Sequence, residues 1–158
     1  MKIYIAGPDI FRPDVLDWME ATRFTCAQFA HEALIPFNID LNTPEAIFHA
    51  NMALLRDADM VIANLNPFRG AEPDSGTCVE IGYALALGKP VVGYMQSAVS
   101  VVERIASLQN TPLTHAHGHL LDQDGLSIEN FGLPLNLMLA VPVKIVFGGL
   151  EACLASLE

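Results

Sequence analysis

The sequence predicts an α/β fold: a single domain over residues 1–158, with a five-stranded parallel sheet in a flavodoxin-like (Rossmann-like) order and helices on both faces. Three observations predict it. Short runs rich in β-branched residues alternate with longer amphipathic stretches, and Gly, Pro, Asn and Asp punctuate the joins. At 158 residues, 52% hydrophobic and only 16% charged, the chain is also long enough to bury one core without staples.

Lys2-Ile3-Tyr4-Ile5-Ala6 reads as a buried first strand stopped by Gly7-Pro8. Pro13 opens a helix through about Glu32, with Leu16, Met19, Phe24 and Ala27 at helical spacing and Trp18 in the core or a subunit interface. Leu34-Ile35-Pro36-Phe37 follows as a brief second strand. Thr43 caps a second helix, with Pro44 at its first position and Glu45 in its acidic first turn, and this helix runs to about Arg56. Met60-Val61-Ile62-Ala63 is a third strand, Asn64 to Gly76 a loop, and Thr77 to Leu87 a third helix closed by Gly88. Pro90 to Tyr94 is the fourth strand, Val143 to Phe147 the fifth, and Leu150 to Leu157 a closing helix. Residues 96–130 resist assignment and are read as a mobile cover over the site. No repeat, linker or low-complexity tract interrupts the chain.

The formal charge is −10, from 8 basic and 18 acidic residues. Such a surplus repels phosphate backbones and anionic lipid, so nucleic acid and membrane surfaces are excluded as partners. Cys26, Cys78 and Cys153 fit neither a disulfide framework nor a zinc knuckle, and read as reduced thiols in a cytoplasmic protein. The apolar run after Lys2 is too short for a signal peptide, and no stretch approaches the ~18 apolar residues of a membrane helix. High apolar content with few charges points to surface buried between subunits.

Ligands of parallel sheets bind beyond the carboxyl ends of the strands, so Tyr4–Phe11, Phe37–Asn42 and Asn64–Glu80 should converge. Gly7, Phe11 and Gly76 fall in those segments and are candidate substrate contacts. Asp74 and Glu80 lie six apart across a loop-to-helix junction and can face one pocket. Paired carboxylates there suit chemistry at an electron-poor carbon, or they are simply helix N-terminal acids favoured by the macrodipole. Gly82 should let backbone pack against a neighbouring strand. Arg69 either grips an anion or pairs with Glu72 or another local acid. No Walker loop or Gly-x-Gly-x-x-Gly fingerprint occurs. His115, His117 and His119 would share a face of an extended segment, but no carboxylate partners accompany them and a metal site is not expected.

Tyr4-Ile5-Ala6-Gly7-Pro8, Asp57 to Ala63, Glu72-Pro73-Asp74-x-Gly76-Thr77-x-x-Glu80-x-Gly82 and Phe131 to Met138 together resemble the nucleoside 2-deoxyribosyltransferase family, in the family's order. The resemblance implies exchange of the base on a 2′-deoxyribonucleoside through a covalent deoxyribosyl-enzyme, with retention at the anomeric carbon and no cofactor. It implies that Glu80 is the nucleophile, that Tyr4 orients it, and that Asp74 holds the sugar hydroxyls. Asn136 and Met138 match residues that reach a neighbouring subunit's site, so a homo-oligomer is implied, acting on deoxyribonucleosides and free nucleobases. One position departs from the pattern. Asn51 stands where better-known members carry an aspartate toward the base; an amide cannot protonate a leaving base, which leaves water or another acid such as Asp40.

Two alternatives remain: an N-glycosidase that hydrolyses deoxynucleosides or 5′-monophosphates, and a non-catalytic nucleoside-binding module. Hydrolases of 5′-monophosphates share Gly-Thr-x-x-Glu, but carry a hydroxyl residue where Asp74 would set an anion against phosphate, at a cost of several kcal/mol, as an order of magnitude, when partly desolvated. A non-catalytic nucleoside-binding module would not require Tyr4, Asp74 and Glu80 together.

Overall fold

The computed structural model describes residues 1–109 and 112–157. Five strands form the parallel sheet: β1 (Lys2–Ala6), β2 (Glu32–Leu34), β3 (Met60–Asn64), β4 (Val91–Met95) and β7 (Lys144–Phe147), in the order β2-β1-β3-β4-β7. Side-chain alternation along the strands divides the core in two. Tyr4, Ala6, Val61, Ala63 and Val91 face helices α2 (Pro44–Asp57) and α3 (Ser75–Ala86), packing with Leu55, Ile81 and Ala84. Ile3, Ile5, Met60, Ile62 and Val92 face α1 (Val15–Gln28) and α6 (Leu150–Ala155), packing with Met19, Cys26, Cys153 and Leu154. The expected five-stranded sheet with covered faces is therefore present. All three cysteines are free, and among the described residues no helix is long and apolar enough to cross a membrane.

Several boundaries move, each for a local reason. The first helix stops at Gln28 rather than near Glu32, because Ala30 turns left-handed (φ 57°) and the chain re-enters the sheet at Glu32. Its buried stripe is Met19, Thr22 and Cys26, whereas Leu16 and Phe24 lie on the outward face; Trp18 is partly buried against the α1/α6 layer. The second strand ends at Leu34, two residues before Pro36, which has no N–H to give a ladder. Helix α2 is as expected, with Thr43 Oγ1 accepting from the Ala46 N–H. Helix α3 begins at Ser75, two residues early, because Asp74 is its cap.

Residues 96–130 hold more structure than a cover requires. Helix α4 (Val101–Leu108) opens on a capping box between Ser100 and Glu103. Strands β5 (Thr114–Ala116) and β6 (His119–Leu121) form a hairpin turned by His117 (φ 52°) and Gly118 (φ 79°). That turn ends the extended run on which the three histidines would share a face, and the hairpin register puts His115 and His119 on opposite sides. The portion of the expected cover at residues 110 and 111 lies outside the described residues.

Candidate active site

The carboxyl ends of β1 and β3 are joined by a polar chain. Gly7 (φ 158°) turns β1 into the 3-10 turn Pro8–Phe11, and a Cβ there would stand 2.8 Å from the Asn64 Cβ, so only glycine permits the approach. Asn64 Nδ2 donates to Asp9 Oδ2 (2.7 Å), Asn64 Oδ1 accepts from Asn66 Nδ2 (2.7 Å), and Asn66 Oδ1 accepts from the Gln96 N–H (2.9 Å). The loops after β1, β3 and β4 are thus fixed to one another.

Against this frame lies a largely enclosed carboxylate. Tyr4 is fully buried on the α3 side of the sheet, and its hydroxyl donates to Glu80 Oε1 at 2.5 Å. Burial pushes Glu80 up to about 7; the Tyr4 hydrogen bond pulls it down, and the Asp74 charge adds to the rise. Burial, with the Glu80 charge beside it, also pushes the Tyr4 phenol far above its ordinary range, so it stays a donor. Asp74 caps α3, its Oδ2 accepting from the Thr77 N–H (2.9 Å) and Oγ1 (3.1 Å). A Cβ at Gly76 would press on that oxygen at 3.0 Å, so the glycine leaves room for the cap. The helix-acid and paired-carboxylate readings of Asp74 are therefore compatible: one oxygen caps, and the charge still reaches Glu80.

Phe11 and Asn51 line one cleft of about 750 Å³, walled by Ile35, Phe37, Ile47 and Leu54. This cleft is where the segments after β1 and β2 meet α2. Asp40 sits beside it on an exposed turn, its N–H donating to Asn38 Oδ1 (2.9 Å), and is not among the lining residues. Asn136 and Met138 line a second cleft of about 620 Å³ along α3 with Cys78, Ile81 and Gly82, and none of Tyr4, Asp74 or Glu80 borders it. Asn136 caps helix α5 (Leu137–Ala140) and donates to Glu129 Oε1 (3.0 Å), while Met138 is 72% exposed. Gly82 opens onto this second cleft, and a Cβ there would meet nothing within 4 Å, so close packing on a strand is not its role.

Arg69 departs from the expected pairing with Glu72. Its guanidinium lies 4.6 Å from the Phe68 ring centre and 5.3 Å from that of Phe11, and the two rings stack at 5.5 Å. Glu72 lies instead near Arg104, which with the Asn136 backbone offsets part of the rise that burial gives its carboxyl. Sequence reasoning passed over Arg104. It is 9% exposed and donates to the carbonyls of Ala71 (3.1 Å), Pro134 (2.9 Å) and Val99 (3.0 Å), tying the Asp74 loop to the segment ahead of α5. Its signal was a cation three residues after Val101, on the same face of the helix. Asp9 and Asn66 had no comparable signal.

Among known proteins, residues 3–138 match the family model described as nucleoside 2-deoxyribosyltransferase. A solved 2-desoxiribosyltransferase from Leishmania mexicana is 36% identical, covers 98% of this chain and 95% of its own, and superposes with a TM-score of 0.81. A CMP N-glycosidase from Clostridium botulinum shares the fold at 14% identity and a TM-score of 0.53, over 99% of this chain and 98% of its own. A protein of Schizosaccharomyces pombe described as uncharacterized is 28% identical in an alignment 155 positions long that covers 86% of this chain and 74% of that one.

Proposed function

We propose, from the premise that this chain belongs to the nucleoside 2-deoxyribosyltransferase family, that it exchanges the base of 2′-deoxyribonucleosides by a retaining double displacement at Glu80. The observation that carries the reading is the Tyr4–Glu80 pair: a largely enclosed carboxylate, held by a phenol that stays protonated, beside a second acid. Glu80 attacks C1′ as the C1′–N bond breaks, and the bond's electron pair leaves with the base. An oxocarbenium-like centre is stabilised by the anion it faces, so the field of Asp74 that raises Glu80 also favours the cationic sugar. The resulting ester is then attacked at C1′ by a second base, and two inversions give retention. Tyr4 donates to the glutamate oxygen, keeps it oriented and, with Glu80, fills the space that a 2′-hydroxyl would need.

The apolar cleft holding Phe11 and Asn51 suits a flat base, with the Asn51 amide able to donate to a 6-oxo group or accept from a 6-amino group. Asn136 and Met138 border a cleft that neither Tyr4 nor Glu80 lines, which supports their serving a neighbouring subunit of a homo-oligomer. Such a protein acts in nucleoside salvage in the cytoplasm. Incubation with deoxyinosine, with and without adenine, tests the reading. Deoxyadenosine formed only with adenine is the expected product; hypoxanthine released at a rate independent of adenine assigns a hydrolase instead, and no turnover removes the enzymatic role.

A further inference from the structure

The base cleft has no acid in its lining: every residue that borders it is apolar apart from the amides Asn38 and Asn51. Breaking the C1′–N bond sends an electron pair onto the base, so negative charge develops inside that cleft, where the two amides can donate hydrogen bonds but supply neither a proton nor a positive charge. Asp40 stands beside the cleft on an exposed turn without lining it. Asp9 accepts from Asn64, and Glu80 is bonded to Tyr4. Of the two arginines in loops near the cleft, Arg12 is locked in a two-point pair with Asp14 (3.0 and 2.8 Å). Arg69 is not. Among the described residues it has no ion-pair or hydrogen-bond partner, and its guanidinium is held over Phe68 and Phe11 by cation–π contact. Phe11 is both a wall of the cleft and part of that stack. Arg69 also adopts a left-handed backbone (φ 55°), a strained conformation for a side-chain-bearing residue, of the kind retained at functional sites.

We propose that Arg69 is the leaving-base residue: its N–H groups donate to a ring nitrogen or exocyclic oxygen of the departing base and carry the charge that Asn51 cannot neutralise with a proton. This rests on the transfer reading above and adds a role to it. Arg69 stays cationic throughout, so it does not protonate the base. The base leaves as a hydrogen-bonded anion, Glu80 becomes the ester, and the anion takes its proton from water on release. In the second half-reaction Arg69 favours the deprotonated acceptor, whose ring nitrogen attacks C1′ and returns the electron pair to Glu80.

Leaving-group dependence distinguishes this role from a structural one. Transfer to a common acceptor base is measured for deoxyadenosine, deoxyinosine and 6-chloropurine 2′-deoxyriboside with wild type, Arg69→Ala and Arg69→Lys. Losing a charge-assisted hydrogen bond predicts a fall in kcat/KM of roughly 10- to 100-fold for deoxyadenosine. The 6-chloropurine, which bears negative charge best unaided, should lose less than about threefold by the same reasoning. Arg69→Lys should recover most of the loss. An equal loss on all three substrates, or none, overturns the assignment of Arg69 while leaving the transferase reading standing. A wild type that transfers no base overturns both.

Discussion

Replacing Glu80 by glutamine should stabilise the folded protein while abolishing transfer. In the folded chain Glu80 titrates at about 7 instead of 4.5, because burial and the Asp74 charge outweigh the Tyr4 hydrogen bond. The folded state therefore binds this proton more tightly than the unfolded chain. The site costs nothing below about pH 4; stability then falls as pH rises toward about 7 and is level above it. A rise of two to three pH units at about 1.4 kcal/mol each amounts to about 3 kcal/mol. The glutamine of Glu80→Gln stays neutral at every pH and keeps an oxygen for the Tyr4 hydroxyl, so it removes the penalty without leaving a void. Urea unfolding at fixed protein concentration from pH 4 to 8 reads this directly. The two proteins should match at pH 4 and diverge by a midpoint difference of roughly 1–2 M at pH 8, taking an m-value of about 2 kcal/mol/M. A difference that does not change with pH would refute the idea that burial holds this carboxylate against ionisation. Transfer by the variant should fall by at least about a thousandfold, as expected for a lost nucleophile.

Three further outcomes follow from the same geometry. Tyr4→Phe removes the bond that lowers Glu80, so the rising limb of the kcat/KM–pH profile, expected near 7 in the wild type, should move to higher pH with a roughly 10- to 100-fold loss at neutrality. Asp74→Ser keeps a hydroxyl able to cap α3 but removes the charge, so the ratio of kcat/KM for deoxynucleoside 5′-monophosphate to that for the nucleoside should rise about tenfold or more; an unchanged ratio counts against charge as the basis of selectivity. Glu80→Ala and Asn136→Ala should each be inactive alone. After dissociation and reassembly together, the mixture should regain activity, because one kind of mixed site then carries both native residues. Continued inactivity would mean that Asn136 serves its own protomer.

How much of this was legible in the sequence depended on whether the cue was local. The strands and the Thr43 cap could be read because alternation and capping act within a few residues. The end of α1 could not, since Ala30 takes a left-handed turn usually left to glycine. Helix α4 carried a readable cue, Ser100-x-x-Glu103, inside a segment otherwise lacking pattern. The His117-Gly118 turn was similarly visible as a pair suited to a tight hairpin, and reading it would have removed the shared histidine face. Arg69 and Arg104 were beyond local reading. Each is settled by partners some thirty or more residues away: Phe11 for one, the Ala71 and Pro134 carbonyls for the other.

The net charge of −10 acquires a direction once these residues are placed. In the proposed reaction Asp74 and Glu80 stand at the sugar end, with the Asp74 field felt at Glu80. Arg69, the uncommitted cation described near the proposed base cleft, lies against Phe11, which walls that cleft, without itself lining it. The proposed glycosidic cleavage separates charge, positive on the sugar and negative on the base. An acid pair at one end and a guanidinium at the other stabilise that separation more than they stabilise the neutral substrate, which is the condition for lowering a barrier rather than only tightening binding. The same arrangement opposes a 5′-phosphate, whose charge is present before the reaction and would face Asp74 throughout. Selectivity for an uncharged nucleoside and stabilisation of a dipolar transition state are then consequences of one placement of charge. Asp74→Ser should therefore slow nucleoside transfer in the same variant that relaxes phosphate exclusion, and a variant gaining monophosphate use at full nucleoside kcat would separate the two.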